Sequence, residues 1–282
     1  AICLAMVHTL WRASQSDDSK NPSQPKLCIP RKMPHISRSS AFTPDGVTER
    51  LEVLSASSRD ELLSLVHQHL TTFMHPEGYG VVLLLYSIIL TRGVGQVRSD
   101  MDKGFGGEKR SLIDNHGYLS QEGVNLILSG RGVSNVFDGE RTLEDDIGGS
   151  DDVIRLGGVT SQGPVGFLTL QEAYNYLEVG ECYKYPKRPI WVIYSESHYS
   201  VMFATEPQLS QLRSIDTPVD VYYWDMLANQ DEVIRLTAEP NLEKKDIPDV
   251  NDEKLLIPPL DLVLRTKWQG CLVDWNGSEP LL

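Results

Sequence analysis

The fold is decided by residues 188–203, whose sequence is RPIWVIYSESHYSVMF. Two apolar runs rich in β-branched and aromatic residues flank a short polar break, a pattern that predicts two strands joined by a tight turn. His198 stands at this break. Because imidazole accepts and returns a proton near neutral pH, His198 is a candidate general base. The alternative is a hydrogen-bonded core or surface histidine.

A carboxylate gives His198 a candidate partner. The apolar run at 220–224 (DVYYW) is followed directly by Asp225. A carboxylate at the end of a neighbouring strand can accept the proton of the second ring nitrogen and fix the orientation of the imidazole. The pair would supply two members of a Cys-His-Asp arrangement, with Asn229 and Gln230 as alternatives to Asp225.

The order of elements along the chain predicts an α+β fold. Ser58-Arg59-Asp60-Glu61 and Thr169-Leu170-Gln171-Glu172 are capping boxes, which mark helix starts. Helices are predicted at 2–13, 62–73, 81–90, 120–128 and 169–177. Strands are predicted at 47–54, 190–195, 199–204, 220–224, 233–237 and 260–265. Helices first and strands later, without βαβ alternation, indicate one domain with a mainly antiparallel sheet. Residues 14–44, rich in Ser, Pro and Lys, are predicted to be a flexible loop.

Charge and composition narrow the classes of partner. The 282 residues carry a formal net charge of −13, which argues against nucleic acid or an anionic membrane as a partner. The longest apolar run, 81–90, is too short to cross a bilayer and is predicted to be a buried helix. His67 and His69 are badly spaced for a metal on a helix, and the GFGGEK run at 104–109 fits no phosphate-binding motif. No metal or cofactor is therefore expected.

None of the four cysteines stands where a nucleophile is expected. Cys3, Cys28, Cys182 and Cys271 form no CxxC pair, which is typical of a reducing compartment and predicts a cytoplasmic location, with the nucleus as a second one. Residues 161–166 (SQGPVG) look like the string around a cysteine-protease nucleophile, but Val165 stands at the cysteine position. Each cysteine is instead predicted to be a packed or free thiol.

Several sequence blocks resemble the MINDY family of cysteine deubiquitinases. They follow in order over residues 80–282, and the branch of the fourth paralogue is the most similar, an identification that Leu10–Ala13 also fits. The blocks are 116–118 (HGY), 120–122 (SQE), 124–126 (VNL), 129–131 (SGR), 133–138 (VSNVFD), 166–170 (GFLTL), 189–192 (PIWV), 195–198 (SESH), 222–225 (YYWD), 227–230 (LANQ), 265–268 (RTKW) and 274–278 (DWNGS).

The resemblance implies a variant papain-like fold and hydrolysis of isopeptide bonds in lysine-48-linked polyubiquitin. It places the family's catalytic histidine at His198, and its cysteine and oxyanion-hole glutamine upstream of Ala1. The chain is therefore expected to be an N-terminally truncated part of the catalytic domain, inactive by itself. Two explanations stay open: an incomplete sequence of an active enzyme, or a member that has lost its activity.

The expected partners are ubiquitin and polyubiquitin chains. Candidate contacts for the basic face of ubiquitin are Ser134, Asn135, Val136, Phe137 and Asp138, together with the acidic loop at 144–152. A solvated linker is the alternative for that loop. Two other functions remain as hypotheses: a non-catalytic ubiquitin-binding protein of the same fold, and an unrelated papain-like hydrolase that leaves ubiquitin chains intact.

Overall fold

The computed structural model describes residues 1–15, 23–31, 48–102, 110–114, 116–143, 154–195, 197–228, 230–242 and 257–280. They fall into two compact units, Ala1–Ser134 and Asn135–Leu282. The first unit is mainly helical, and the second contains a six-stranded sheet.

The first unit packs its helices around one apolar core. Side chains fully removed from solvent include Leu10, Leu27, Leu62, Ile88 and Leu126. The helices are α1 (Ile2–Ser14), α2 (Arg59–Gln68), α3 (Leu70–Phe73), α4 (Gly80–Arg92), α5 (Val94–Asp100) and α6 (Gln121–Ser129). Within the described ranges no single helix could span a membrane by length and hydropathy, and the one pair that passes the test together, α4 with α5, is bent by 87°.

Helices α2 and α6 begin after capping serines, at the places where the sequence predicts helix starts. The Ser58 hydroxyl accepts a hydrogen bond from the amide of Glu61 at 3.1 Å and begins α2. Ser120 caps α6 in the same way through the amide of Gly123. The α6 helix ends at Gly130, which has a φ of 80° in the left-handed region that glycine adopts without strain.

The prediction of a loop over residues 14–44 is wrong in its centre. Lys26–Pro30 forms strand β1, antiparallel to β2 (Leu51–Ser55). Side chains of α4 hold this strand, because the Ser87 and Thr91 hydroxyls accept the amide hydrogens of Cys28 and Lys26, both at 2.8 Å. The other residues of the predicted loop lie outside the described ranges, except Ser14, Gln15, 23–25 and Arg31.

The prediction that 81–90 is a buried helix holds for one face of the helix only. Helix α4 buries one face through Leu83 and Ile88, whereas Val81 and Val82 are 83% and 48% exposed. A continuous apolar run hides which face of a helix is covered, since it carries no periodic contrast between the two faces.

The second unit is built on one sheet with the strand order β10-β9-β8-β7-β6-β5. Neighbouring strands are antiparallel except β5 and β6, which are parallel. The prediction of an α+β fold with a mainly antiparallel sheet is therefore confirmed. The strands are β5 (Gly166–Thr169), β6 (Ile190–Ser195), β7 (His198–Phe203), β8 (Val219–Trp224), β9 (Ile234–Glu239) and β10 (Leu272–Asp274). A separate hairpin pairs β3 (Glu140–Leu143) with β4 (Ile154–Gly157).

One face of this sheet is covered by a helix where a strand was predicted. Residues 260–265 belong to α9 (Pro259–Lys267), which buries Leu260 to Leu264 without interruption. Trp191, Met202 and Leu236 on the sheet pack in the same core cluster as Leu264 and Trp268. A short segment of this kind cannot be assigned to a strand or to a buried helix by periodicity alone.

Two short helices complete the unit. Thr169 caps α7 (Leu170–Ala173) through the amide of Gln171, as its capping box predicts. The helix stops four residues before the predicted end at Leu177, since Asn175 has a φ of 60°. Helix α8 (Glu181–Lys184) follows.

Candidate active site

His198 is the first residue of β7. It pairs with Ser195 at the turn end of the hairpin formed by β6 and β7. The turn between them contains Ser197, whose φ of 72° is unusual for a residue with a side chain. Alternation along β7 puts His198 on the same face as Ser200 and Met202, which are buried. The His198 side chain keeps 35% of its surface exposed because it lies at the end of the sheet.

Asp225 directly follows β8 and reaches the same place. Its Oδ2 lies 2.6 Å from Nε2 of His198, and its side chain is only 6% exposed. The carboxylate also accepts the amide hydrogen of Leu227 on Oδ1 at 2.8 Å and the Tyr223 hydroxyl on Oδ2 at 3.4 Å. The structure thus brings together the two residues that the sequence pairs only by pattern.

These contacts determine the charge of Asp225. Burial alone raises the pKa of the carboxyl group, but the hydrogen bonds from Leu227, His198 and Tyr223 together lower it below its ordinary value. Asp225 is therefore an anion at neutral pH. Burial disfavours the charged phenolate of Tyr223 and so raises the pKa of its hydroxyl group. The hydroxyl therefore stays protonated and can donate a hydrogen bond.

The ionised carboxylate determines which nitrogen of His198 can act as a base. Nε2 must carry the hydrogen that Asp225 accepts, so neutral His198 has its lone pair on Nδ1. Nδ1 has no hydrogen-bond partner within the part of the chain that the structure describes. The side chain is thus oriented for proton transfer at Nδ1.

Gln230, which the sequence offers as an alternative partner of His198, contacts Asp225 instead. Its side-chain oxygen accepts the backbone amide hydrogen of Asp225, and this bond closes the turn after β8. Gln230 therefore positions Asp225. Asn229, the other alternative, lies outside the described residues.

The pair opens into a pocket of about 410 Å³. Its polar lining residues are Ser195, His198, Tyr223, Asp225 and Glu279. Its apolar lining residues are Ile193, Leu227, Ala228, Pro259, Leu260 and Pro280. Sequence reasoning missed Glu279 and Pro280 because they lie far from His198 along the chain and just beyond the last of the resembling blocks, 274–278.

No cysteine lines the described part of this pocket. Burial, reinforced by Asp138, raises the pKa of Cys182 to about 12, and burial raises the pKa of Cys271 to about 11. Burial also raises the pKa of Cys28, while Cys3 is half-buried in α1. A raised pKa keeps a thiol protonated and unreactive, which fits the prediction that these are packed or free thiols. No group of three His, Cys, Asp or Glu residues suited to a metal ion occurs among the described residues.

The block at 134–138 has structural contacts of its own. The Ser134 hydroxyl accepts the amide hydrogen of Asp102 at 3.0 Å in the first unit. In the second unit, Asn135 donates to the carbonyl of Gly157 at 2.9 Å, and Val136 and Phe137 are buried.

Asp138 is exposed, but it caps α8, since its two oxygens accept the amide hydrogens of Glu181 and Cys182 at 2.7 and 3.0 Å. A contact between the block 134–138 and ubiquitin stays a prediction, for which only Asp138 presents much surface. Of the acidic loop at 144–152, no residue lies within the described ranges.

Comparison with known proteins assigns the chain to a family. Residues 1–277 match the family model described as "Deubiquitinating enzyme MINDY-3/4, conserved domain". The "Probable ubiquitin carboxyl-terminal hydrolase MINDY-4" of Mus musculus is 39% identical over 281 residues, covering 100% of this chain and 35% of the relative. The protein of the same name from Xenopus tropicalis is 39% identical over 285 residues, again covering 100% of this chain and 35% of the relative.

A second group of relatives matches over a shorter range. The "Ubiquitin carboxyl-terminal hydrolase MINDY-3" of Xenopus tropicalis is 40% identical over 154 residues, which cover 54% of this chain and 32% of the relative. The chain spans about a third of the length of the curated relatives it matches. No solved structure matches the chain. The match to the family model over nearly the whole chain shows that it belongs to the MINDY-3/4 family of deubiquitinating enzymes.

Proposed function

We propose that the protein to which this chain belongs is a cysteine-type deubiquitinase with a variant papain-like fold. It hydrolyses isopeptide bonds in lysine-48-linked polyubiquitin, with His198 as the general base and Asp225 as its positioning residue. One observation carries the proposal: the 2.6 Å bond between Nε2 of His198 and the buried carboxylate of Asp225 leaves Nδ1 for proton transfer. The linkage preference rests on the resemblance described above.

The reaction uses Nδ1 twice. His198 first removes the proton of a cysteine thiol, and the thiolate attacks the carbonyl carbon of the C-terminal glycine of ubiquitin. The imidazolium then gives that proton to the lysine nitrogen as the C–N bond breaks, which leaves a thioester. Water then loses a proton to Nδ1 and attacks the thioester carbonyl carbon. The C–S bond breaks, ubiquitin leaves with a free C-terminal carboxyl group, and the imidazolium returns the proton to the thiolate.

Asp225 supports the charged form of the base in this sequence. When Nδ1 takes a proton, the imidazolium donates from Nε2 to a carboxylate already held by Leu227 and Tyr223. A hydrogen bond between charged groups is shorter and stronger than a neutral one. Because Asp225 is held before the proton arrives, little reorganisation is needed at that step.

The nucleophile in this proposal is a cysteine outside these 282 residues. The four cysteines of the chain are unsuited to the role, since none lines the described part of the pocket and three have raised pKa values. The matched relatives are also about three times as long as the chain. We therefore expect the 282-residue chain to bind ubiquitin chains, in the cytoplasm, without hydrolysing them.

The absence of a cysteine beside His198 among the described residues also favours a second candidate, a ubiquitin-binding protein of the same family without activity. The sequence upstream of Ala1 separates the two. A cysteine after Gly-Pro, preceded by a glutamine, supports the enzyme; any other residue at that place supports the binding protein.

The experiment that tests the proposal compares two proteins on two substrates. The protein extended upstream of Ala1 and the 282-residue chain are each incubated with lysine-48-linked and lysine-63-linked tetra-ubiquitin. We expect the extended protein to cleave the lysine-48-linked chain faster, and the 282-residue chain to cleave neither. No cleavage by the extended protein would overturn the enzymatic proposal, and equal cleavage of both linkages would overturn the proposed preference.

A further inference from the structure

A hydrogen-bonded turn holds the segment after β10 in place. The indole nitrogen of buried Trp275 donates to Oδ1 of Asp261 at 2.9 Å, which ties the segment to α9. The side chain of Asn276 donates to the carbonyl of Arg235 at 3.1 Å, which ties it to β9. Two consecutive residues with positive φ, Asn276 at 52° and Gly277 at 82°, then reverse the chain.

This turn directs the next residues towards the pocket of His198. The amide of Ser278 donates to the carbonyl of Trp275 at 2.9 Å and closes the turn. Glu279 and Pro280 follow and line the pocket with His198 and Asp225. The turn that precedes Glu279 is therefore held by hydrogen bonds to α9 and β9, of which the bond between Trp275 and Asp261 is buried.

Charge distinguishes Glu279 from the other groups in the pocket. The carboxylate of Asp225 is occupied by His198, Leu227 and Tyr223. Glu279 is exposed and has no hydrogen bond or ion pair with any residue that the structure describes. Among the described lining residues it is the one anion left to meet a ligand.

We propose that Glu279 is a cation-binding subsite next to His198, which receives a lysine or arginine side chain of the polypeptide bound for cleavage. The proposal deepens the proposed function and takes the class of substrate, a polypeptide, from it. The apolar lining residues Leu227, Pro259 and Leu260 accommodate the aliphatic part of such a side chain, while Glu279 meets its charge. The net charge of −13 also favours a basic ligand over an acidic one.

The size of the effect follows from the exposure of Glu279. Exposed ion pairs contribute little, and the upper part of their range corresponds to about a two- to fivefold difference in affinity. The preference must also weaken with salt, because the Debye length falls to about 3 Å at 1 M.

The test measures binding to the whole chain without any bond to cleave. Acetyl-Arg-Gly-Gly-amide and the same peptide with neutral citrulline in place of arginine are titrated against the protein, and the ring resonances of His198 are followed by NMR. We expect the wild type to bind the arginine peptide about two- to fivefold more tightly. Glu279→Gln should bring this ratio close to one, and 1 M salt should do the same in the wild type.

Glu206→Gln is the matched control. Glu206 is also exposed, but it lies beyond the end of β7 opposite to His198 and is paired with Gln208. This variant should keep the wild-type ratio. A ratio unchanged by Glu279→Gln would overturn the proposal, and so would the absence of any shift at His198 with either peptide. A protein that cleaves ubiquitin chains but shows no such ratio refutes the subsite alone, since peptide binding and hydrolysis are measured separately.

Discussion

Replacing Asp225 by asparagine should move the proton of His198 to the wrong nitrogen. Oδ1 of Asp225 accepts the amide hydrogen of Leu227 at 2.8 Å, while Oδ2 faces Nε2 of His198 at 2.6 Å. An asparagine that keeps its oxygen on Leu227 presents its NH₂ group to Nε2. Because two donors cannot bond to each other, Nε2 must become the acceptor and the hydrogen moves to Nδ1.

The opposite orientation of the amide is less favourable. It would restore the bond to His198 but turn the NH₂ group towards the Leu227 amide, and leaving this partly buried donor without a partner costs up to about 3 kcal/mol. The exchange also removes a charged acceptor, whose hydrogen bond contributes about 1.5–3 kcal/mol. At about 1.36 kcal/mol for each factor of ten, the extended protein should lose roughly 10- to 100-fold in kcat/KM.

The assay is a long-range ¹H–¹⁵N correlation of the histidine rings in the 282-residue chain, which reports the tautomer directly. The wild type should show His198 with hydrogen on Nε2, and Asp225→Asn should show it on Nδ1. Asp220→Asn is the matched control, because Asp220 lies on the same strand but bonds to Thr237. The reasoning is refuted if Asp225→Asn retains the wild-type tautomer, or if the control changes it as well.

Three further predictions concern stability of the whole chain, measured by chemical denaturation. Burial, with the positive charges of Lys184 and Arg213 nearby, lowers the pKa of Lys267 from 10.5 to about 7. Between these two pH values the unfolded chain binds the proton and the folded chain does not, so the free energy of unfolding should rise with pH. Lys267→Met should remove that rise, and an unchanged pH profile would contradict the assignment. Ser58→Ala removes the cap of α2 and should cost about 0.5–2 kcal/mol; a loss below 0.2 kcal/mol would show that the cap is dispensable. Gly166→Ala should cost about 1–3 kcal/mol, because its Cβ would overlap the carbonyl oxygen of Tyr183, and a neutral result would show that β5 shifts freely.

Features determined by neighbouring residues are the ones that the sequence predicts well. The caps at Ser58, Ser120 and Thr169 each depend on a side chain and an amide two or three residues away. The β6–β7 hairpin is equally local, since its turn and register join residues close in sequence. The histidine at the hairpin turn could therefore be assigned a position before the fold was known.

Features determined by distant partners are missed or misassigned. Strand β5 exists through its parallel pairing with β6, more than twenty residues later, and its four residues have no periodicity of their own. The strand prediction for residues 260–265 fails because a segment this short fits a strand and a buried helix equally well; Pro259 in the first turn of α9 is the signal that favours the helix. The sequence indicated Asp225 as a strand-end carboxylate, but the bond to His198 depends on the β7–β8 register. Glu279 depends on the turn at Asn276, which sequence reasoning did not connect to the pocket.

The account is tested most directly by hydrolysis of lysine-48-linked tetra-ubiquitin by the protein extended upstream of Ala1, with and without His198. Removal of a general base costs about 10²- to 10⁴-fold, so His198→Ala should lower kcat/KM by at least about 100-fold. His75→Ala, which alters an exposed histidine of the first unit, should leave kcat/KM within about twofold of the wild type. Ordinary turnover by His198→Ala would contradict the account.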